Sequence, residues 1–185
     1  MHTRHDDPGT ATTRLRADHD LILRALAVLE RFGRCLERGE PVDRGALERL
    51  SDFFTTFVDR CHHGKEEQHL FPALVRHGLP RDGGPVGVML LEHEEGRGLL
   101  RAMRQQEDRK TAVAIRQYAR LLRAHIDKEN GILFPLAEHI IPGEEHQLLI
   151  RAFGALEEAV GGRDIRERLV SELARLERDS ERRIH

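Results

Sequence analysis

Tryptophan is absent from this 185-residue chain, tyrosine occurs once, and aromatic residues make up only 4% of it. Sheet proteins draw heavily on aromatic and β-branched residues, so this poverty argues against a sandwich or barrel. Cysteine occurs only as Cys35 and Cys61, which rules out a disulfide framework. No apolar run approaches the ~18 residues of a membrane span. The polar start MHTRHDDPGT has no apolar signal core. A net charge of −2, with basic residues interspersed among acidic ones, provides no electrostatic case for nucleic acid. The chain reads as a soluble, cytoplasmic protein with one sizeable core.

Charged residues are abundant, at 34%, and they sit within helical patterns. Residues 1–12 read as a flexible tail. Leu15, Ile22, Leu26 and Leu29 then recur at helical spacing, up to a glycine stop at Gly39. Asp43 is a fair N-cap for a second helix reaching about His77, with Pro72 expected to kink it or distort its last turns. Further helices are expected over 85–107, 111–137 and 144–160. An Arg/Glu-rich one spans 163–182. Short connections between long helices predict an all-α fold, an antiparallel up-and-down four-helix bundle made of two αα-hairpins. The bundle covers 13–160, and 161–185 is a charged C-terminal helix.

The segment CHHGKEEQHLFP, residues 61–72, is crowded with polar groups, and a second copy shows which of them matter. His62, Lys65, Glu66 and Leu70-Phe71-Pro72 recur in register as His125, Lys128, Glu129 and Leu133-Phe134-Pro135. His63 and Glu67 have no such counterparts, since Ile126 and Asn130 stand there. Each copy has one histidine on the preceding helix, His19 and His93. The midpoint of His19 and His62 falls between Glu40 and Pro41. That of His93 and His125 is Arg109, within the expected turn Asp108-Arg109-Lys110. Each hairpin therefore sets its two histidines level. The i,i+4 spacing puts each glutamate on its histidine's face, about 6 Å along the axis and leaning back toward it. Four imidazoles and two carboxylates then converge. Such N/O donors suit iron, manganese or zinc, and carboxylates can bridge two metals.

The linked set resembles the hemerythrin-like family, the HHE cation-binding domain, over about residues 13–140. It consists of Asp18-His19 on helix one, HxxKExxxLFP on helix two, Glu92-His93 on helix three and HIDKENxxLFP on helix four. The resemblance implies two non-heme iron ions. His19 and His62 would serve one, His93 and His125 the other, with Glu66 and Glu129 bridging. The chain departs from the oxygen carriers one turn after His93, where Arg97 replaces a fifth histidine. One iron is thus expected to have an open position or to borrow another ligand.

His63 lies about 100° round the helix from His62 and is read either as a group behind the ligands or as a substitute ligand. Tyr118 lies seven residues before His125 and is read either as a core ring or as a hydroxyl serving the metal. Glu67, His69, Glu92, Glu94 and Glu95 read as a solvated face, and His2, His5, His77, His139, His146 and His185 as surface residues. The resemblance implies a protein that binds or senses oxygen, nitric oxide or peroxide in stress response. The alternatives are a catalase-like peroxide-consuming enzyme and a non-catalytic iron or redox sensor acting through protein partners.

Overall fold

The computed structural model describes residues 9–104, 107–161 and 165–182. Residues 1–8 of the expected tail lie outside them, as do His2, His5 and His185. The chain folds into a helical bundle, as its patterning predicts. Helix α1, Ala11–Glu37, starts two residues ahead of the predicted boundary because the Thr10 side chain accepts from the Thr13 amide. It stops at Gly39, whose φ of 69° lets the Glu40 amide turn back to Cys35 O at 2.9 Å. Helix α2, residues 44–76, is capped by Asp43, which accepts from Ala46 N at 3.0 Å. Helices α3, Gly84–Met103, and α4, residues 108–140, form the second pair. Asp108, Arg109 and Lys110, expected in the turn, belong instead to the first turn of α4, where the Asp108 carboxylate favours the helix N-terminus. Helices α5, Gly143–Gly161, and α6, Ile165–Arg182, complete the described fold.

Pro72 does not break α2. A proline has no N–H and its ring crowds the carbonyl four residues back. The helix widens just ahead of it into a π-helical turn at Glu66–Leu70, and the second copy does the same at Glu129–Leu133 before Pro135. A wider turn relieves the clash and rotates the preceding side chains. Both glutamates of the repeat stand at the start of these turns.

The core is split. One apolar cluster holds Leu26, Leu29, Phe54, Ile115 and Tyr118, and the other holds Leu15, Phe71, Phe134 and Phe153. On α1, α2, α3 and α4 alike, the conserved spacing of the repeat puts the histidines between these clusters. The polar layer is therefore roofed and floored by hydrocarbon. Among the described residues, no helix is long and apolar enough to cross a membrane.

Helices α1 and α4 approach closely at Gly33, where an added Cβ would meet Ile115 Cγ2 at 2.8 Å. Ile115 is buried and β-branched, so it cannot swing aside. Gly33→Ala is expected to cost about 1 kcal/mol net, overpacking outweighing the gain in helix propensity. Gly154→Ala, facing open space on α5, is expected to stabilise by about 0.5 kcal/mol. Urea midpoints check both, and a stabilised Gly33→Ala would contradict the close packing.

Candidate metal centre

Helices α1 to α4 each contribute to one buried layer. His19, His62, His93 and His125 are each 1% exposed, and Glu66 and Glu129 are fully buried. The predicted levelling is observed: His19 Nε2 lies 3.1 Å from His62 Nε2, and His93 Nε2 lies 3.2 Å from His125 Nε2. The carboxylates lie between these pairs. Glu66 directs Oε1 toward His62 at 3.6 Å and Oε2 toward His93 at 3.5 Å. Glu129 Oε2 is 3.1 Å from His19 and 3.4 Å from His125. Despite this proximity, the orientations make no hydrogen bonds, and all four carboxylate oxygens lack a hydrogen-bond partner.

His63 belongs to this layer. Its ring stacks on His93 at 3.7 Å between centroids and meets His125 edge-on at 5.6 Å. Both of its nitrogens are buried without a hydrogen bond, Asp59 being too far at 3.8 Å. Burial, and then the neighbouring His93 and His125, hold its pKa well below the ordinary value. It is a neutral imidazole with a lone pair to offer. Arg97 turns away, donating to Asp59 at 2.7 Å and Glu67 at 2.5 Å. The imidazole missing from the position of Arg97 is thus matched by one from α2.

Two overlapping donor groups result, one of His19, His62, Glu66 and Glu129, the other of His63, Glu66, His93 and His125. Within each, the donor atoms lie within 4.8 Å of one another. Leaving such polar atoms unsatisfied in a dry interior is costly, and a cation removes the cost. The orphaned oxygens and nitrogens and the mixed N/O set fit ions such as iron, manganese or zinc.

The outward nitrogens are also held. His19 Nδ1 donates to Asn130 Oδ1 at 2.9 Å, His93 Nδ1 to Glu67 at 2.7 Å and His125 Nδ1 to Glu92 at 2.9 Å. His62 Nδ1 faces Asp18 Oδ2 at 3.4 Å. Such partners fix ring orientation and raise basicity. They repeat between hairpins: Asp18 and Glu92, each preceding a histidine, also take Lys65 and Lys128. Glu67 and Asn130 each follow a glutamate of the repeat and reach the other hairpin. Glu67 and Glu92 are therefore partly buried partners of histidines rather than a solvated face. The repeated lysine was the available signal. The equivalence of Glu67 and Asn130 was hidden because the residue types differ, although both present a side-chain oxygen.

Tyr118 is a core ring, packed edge-on against Phe54 at 5.3 Å. Its buried hydroxyl lacks a hydrogen-bond partner, and burial, with the charge of Asp59 behind it, pushes its pKa up. His146, expected at the surface, is buried, and its Nδ1 accepts from Ala11 N at 3.3 Å. It satisfies one of the free amides at the start of α1.

In metal-free protein, the carboxylates hold protons on the imidazoles, and these imidazolium charges balance their own. Burial disfavours a charged His125, but Glu129 and Glu92 raise its pKa from 6.5 to about 10. That stability is complete below 6.5 and is lost as pH rises through 10. Glu129 is held well below 4.5, chiefly by His125 against the cost of burial, so its contribution is lost as pH falls below 4.5. Chelator-treated protein is therefore expected to be most stable near pH 6.5: below it the unfolded chain takes up a proton that buried His63 refuses, and above it the contribution of protonated His125 is progressively lost. It should lose on the order of a few kcal/mol by pH 10. A denaturation midpoint that holds or rises from pH 6 to 9.5 would contradict the assignment.

The family model for the hemerythrin HHE cation-binding domain matches residues 10–137. Relatives include uncharacterized proteins from two strains of Mycobacterium tuberculosis and from Mycobacterium bovis, each 25% identical over 156 residues. The alignments cover 79% of this chain but 60% of each relative, so the chain spans less than two thirds of their length. No solved structure matches significantly. With the matched segment taking in every histidine and glutamate of the buried layer, the chain belongs to the hemerythrin HHE cation-binding family.

Proposed function

We propose that this chain holds two non-heme iron ions and uses them to bind oxygen, nitric oxide or peroxide. The observation that carries the reading is the pair of overlapping donor groups sharing Glu66. His19 and His62 would hold one ion, and His63, His93 and His125 the other, with Glu66 and Glu129 reaching both. When bound, the iron pair supplies reversible electron storage and an affinity for diatomic and peroxide ligands. The His19/His62 half has one imidazole fewer, so it is the half with room for an added ligand. The two apolar clusters keep bulk water from the layer, and the outward partners of His19, His62, His93 and His125 hold these imidazoles in the tautomer that offers Nε2. Zinc or manganese can occupy the same donors.

Catalase-like turnover is the second reading. It is favoured by the contact of Glu92 with both His125 and the partly exposed Lys128, which offers a proton a way out of the layer. Metal analysis of freshly purified protein, with its ultraviolet-visible spectrum in air, tests the centre. About two irons per chain with near-ultraviolet oxo-iron bands are expected. Spectral changes on adding nitric oxide or peroxide separate binding from turnover, since only turnover releases oxygen from peroxide. Protein that takes up no metal after anaerobic iron loading would sink the reading.

A further inference from the structure

Helix α6 lies beyond the segment matched by the family model, yet it touches the buried layer. Asp18 is fully buried on α1, and its two oxygens have different partners. Oδ2 accepts from Lys65 Nζ at 2.8 Å and faces His62 Nδ1 at 3.4 Å. Oδ1 accepts from Arg166 Nη1, at the start of α6. The same guanidinium donates through Nη2 to Ala17 O at 3.0 Å and lies over the Phe57 ring at 5.9 Å. A carboxylate is planar, so the guanidinium, anchored on Ala17 O while it holds Oδ1 of Asp18, also sets the oxygen that faces His62.

Among the described side chains, few others attach α6. Leu173 and Leu176 are its buried side chains among those described, with Val170 partly buried against the same cluster. The outer contacts are partly exposed ion pairs, Arg24 with Glu177 at 2.8 Å and Arg49 with Glu172 at 2.8 Å. Exposed pairs of this kind hold a helix weakly. A weakly seated element opens locally at low cost and responds to small changes beneath it.

We propose that Arg166 is a positioning residue for His62, and that seating of α6 is linked to metal occupancy of the His19/His62 half. The inference rests on the metal-centre reading above. An occupied centre fixes His62, which fixes Asp18, which presents Oδ1 to Arg166. Linkage is reciprocal, so a seated α6 tightens metal in that half by the same factor. The C-terminal helix thus reports the state of the centre at the protein surface.

The test uses the full chain and cobalt(II), titrated anaerobically and followed by visible absorption, with amide hydrogen exchange of residues 165–182. Wild type is expected to bind two cobalt ions, and exchange in α6 is expected to slow on loading. Arg166→Gln is expected to weaken one of the two binding steps about tenfold and to abolish the slowing. Arg166→Lys, which keeps the charge but not the two-point hold, should recover part of the affinity. Unchanged affinities with unchanged exchange would overturn the proposal and leave the metal centre standing. Tighter binding by Arg166→Gln would also overturn it, because the guanidinium would then act only as a repelling charge. Wild type that binds no cobalt would instead remove the metal centre itself.

Discussion

Glu66→Ala is expected to reduce metal binding from two ions per chain to one or none. Glu66 belongs to both donor groups and gives one oxygen toward each histidine pair, so its loss removes a donor from both. Neither buried carboxylate nearby can replace it, because Glu129 already faces His19 and His125, and Asp18 is taken by Lys65 and Arg166. Stability should follow. An ion held at about a thousand times its dissociation constant stabilises the fold by about 4 kcal/mol. In a chain of this size that raises Tm by roughly 8–16 °C. Wild type, with two ions, is expected to rise by about twice that on loading, roughly 16–32 °C, and the variant by half of it or less. Glu66→Gln keeps the shape and should behave alike, since a neutral amide is a poor ligand and cannot serve both halves. Metal content and calorimetric Tm, with and without chelator, check this. A variant that still binds two ions with unchanged affinity would remove Glu66 from the centre.

His63→Ile is expected to have opposite effects on stability and binding. The second copy already has isoleucine at the matching place, Ile126, which is 1% exposed. An aliphatic side chain is thus known to suit this helix position. In metal-free protein the variant removes two buried nitrogens that make no hydrogen bond. Leaving such groups unsatisfied costs about 1–3 kcal/mol, so metal-free His63→Ile should melt roughly 2–12 °C higher than wild type. The same change removes an imidazole from the group of His63, Glu66, His93 and His125. One of the two binding steps should weaken by about 100-fold, on the order of 3 kcal/mol, while the other moves little. A stabilised variant with unaltered binding would show that His63 only fills space behind the ligands. The stability gain and the affinity loss would together show a side chain kept for metal at the expense of the fold.

The paired hairpins and the six repeated histidine and glutamate positions that meet in the buried layer were legible because both rest on local rules. Helical periodicity is written in a few turns of sequence, and the level of two histidines in a hairpin follows from counting residues to the turn. The identity of the buried acids was legible for the same reason, since i,i+4 spacing alone puts Glu66 with His62 and Glu129 with His125. The effect of Pro72 was legible too, and Pro135 shares it. Each follows a widened turn that carries the glutamate, the kind of distortion expected at Pro72.

Other features depended on helices meeting across the bundle. His63 could be given a direction from α2 but not a destination, because only the packing of α3 decides whether that direction ends in solvent or on the ring of His93. Arg97 pointed to a gap in the ligand set, yet the imidazole opposite that gap comes from another helix. Glu67 and Asn130 looked unrelated until the two hairpins were placed face to face. Arg166 is separated from Asp18 by 148 positions, a distance over which no periodicity carries information. The sequence alone thus determined the helices, the repeat and the inward-facing histidines and glutamates, since each depends on neighbours within a few turns. Tertiary structure decided the fifth imidazole, the holders of the outward nitrogens and the reach of α6, since each depends on which helix faces which.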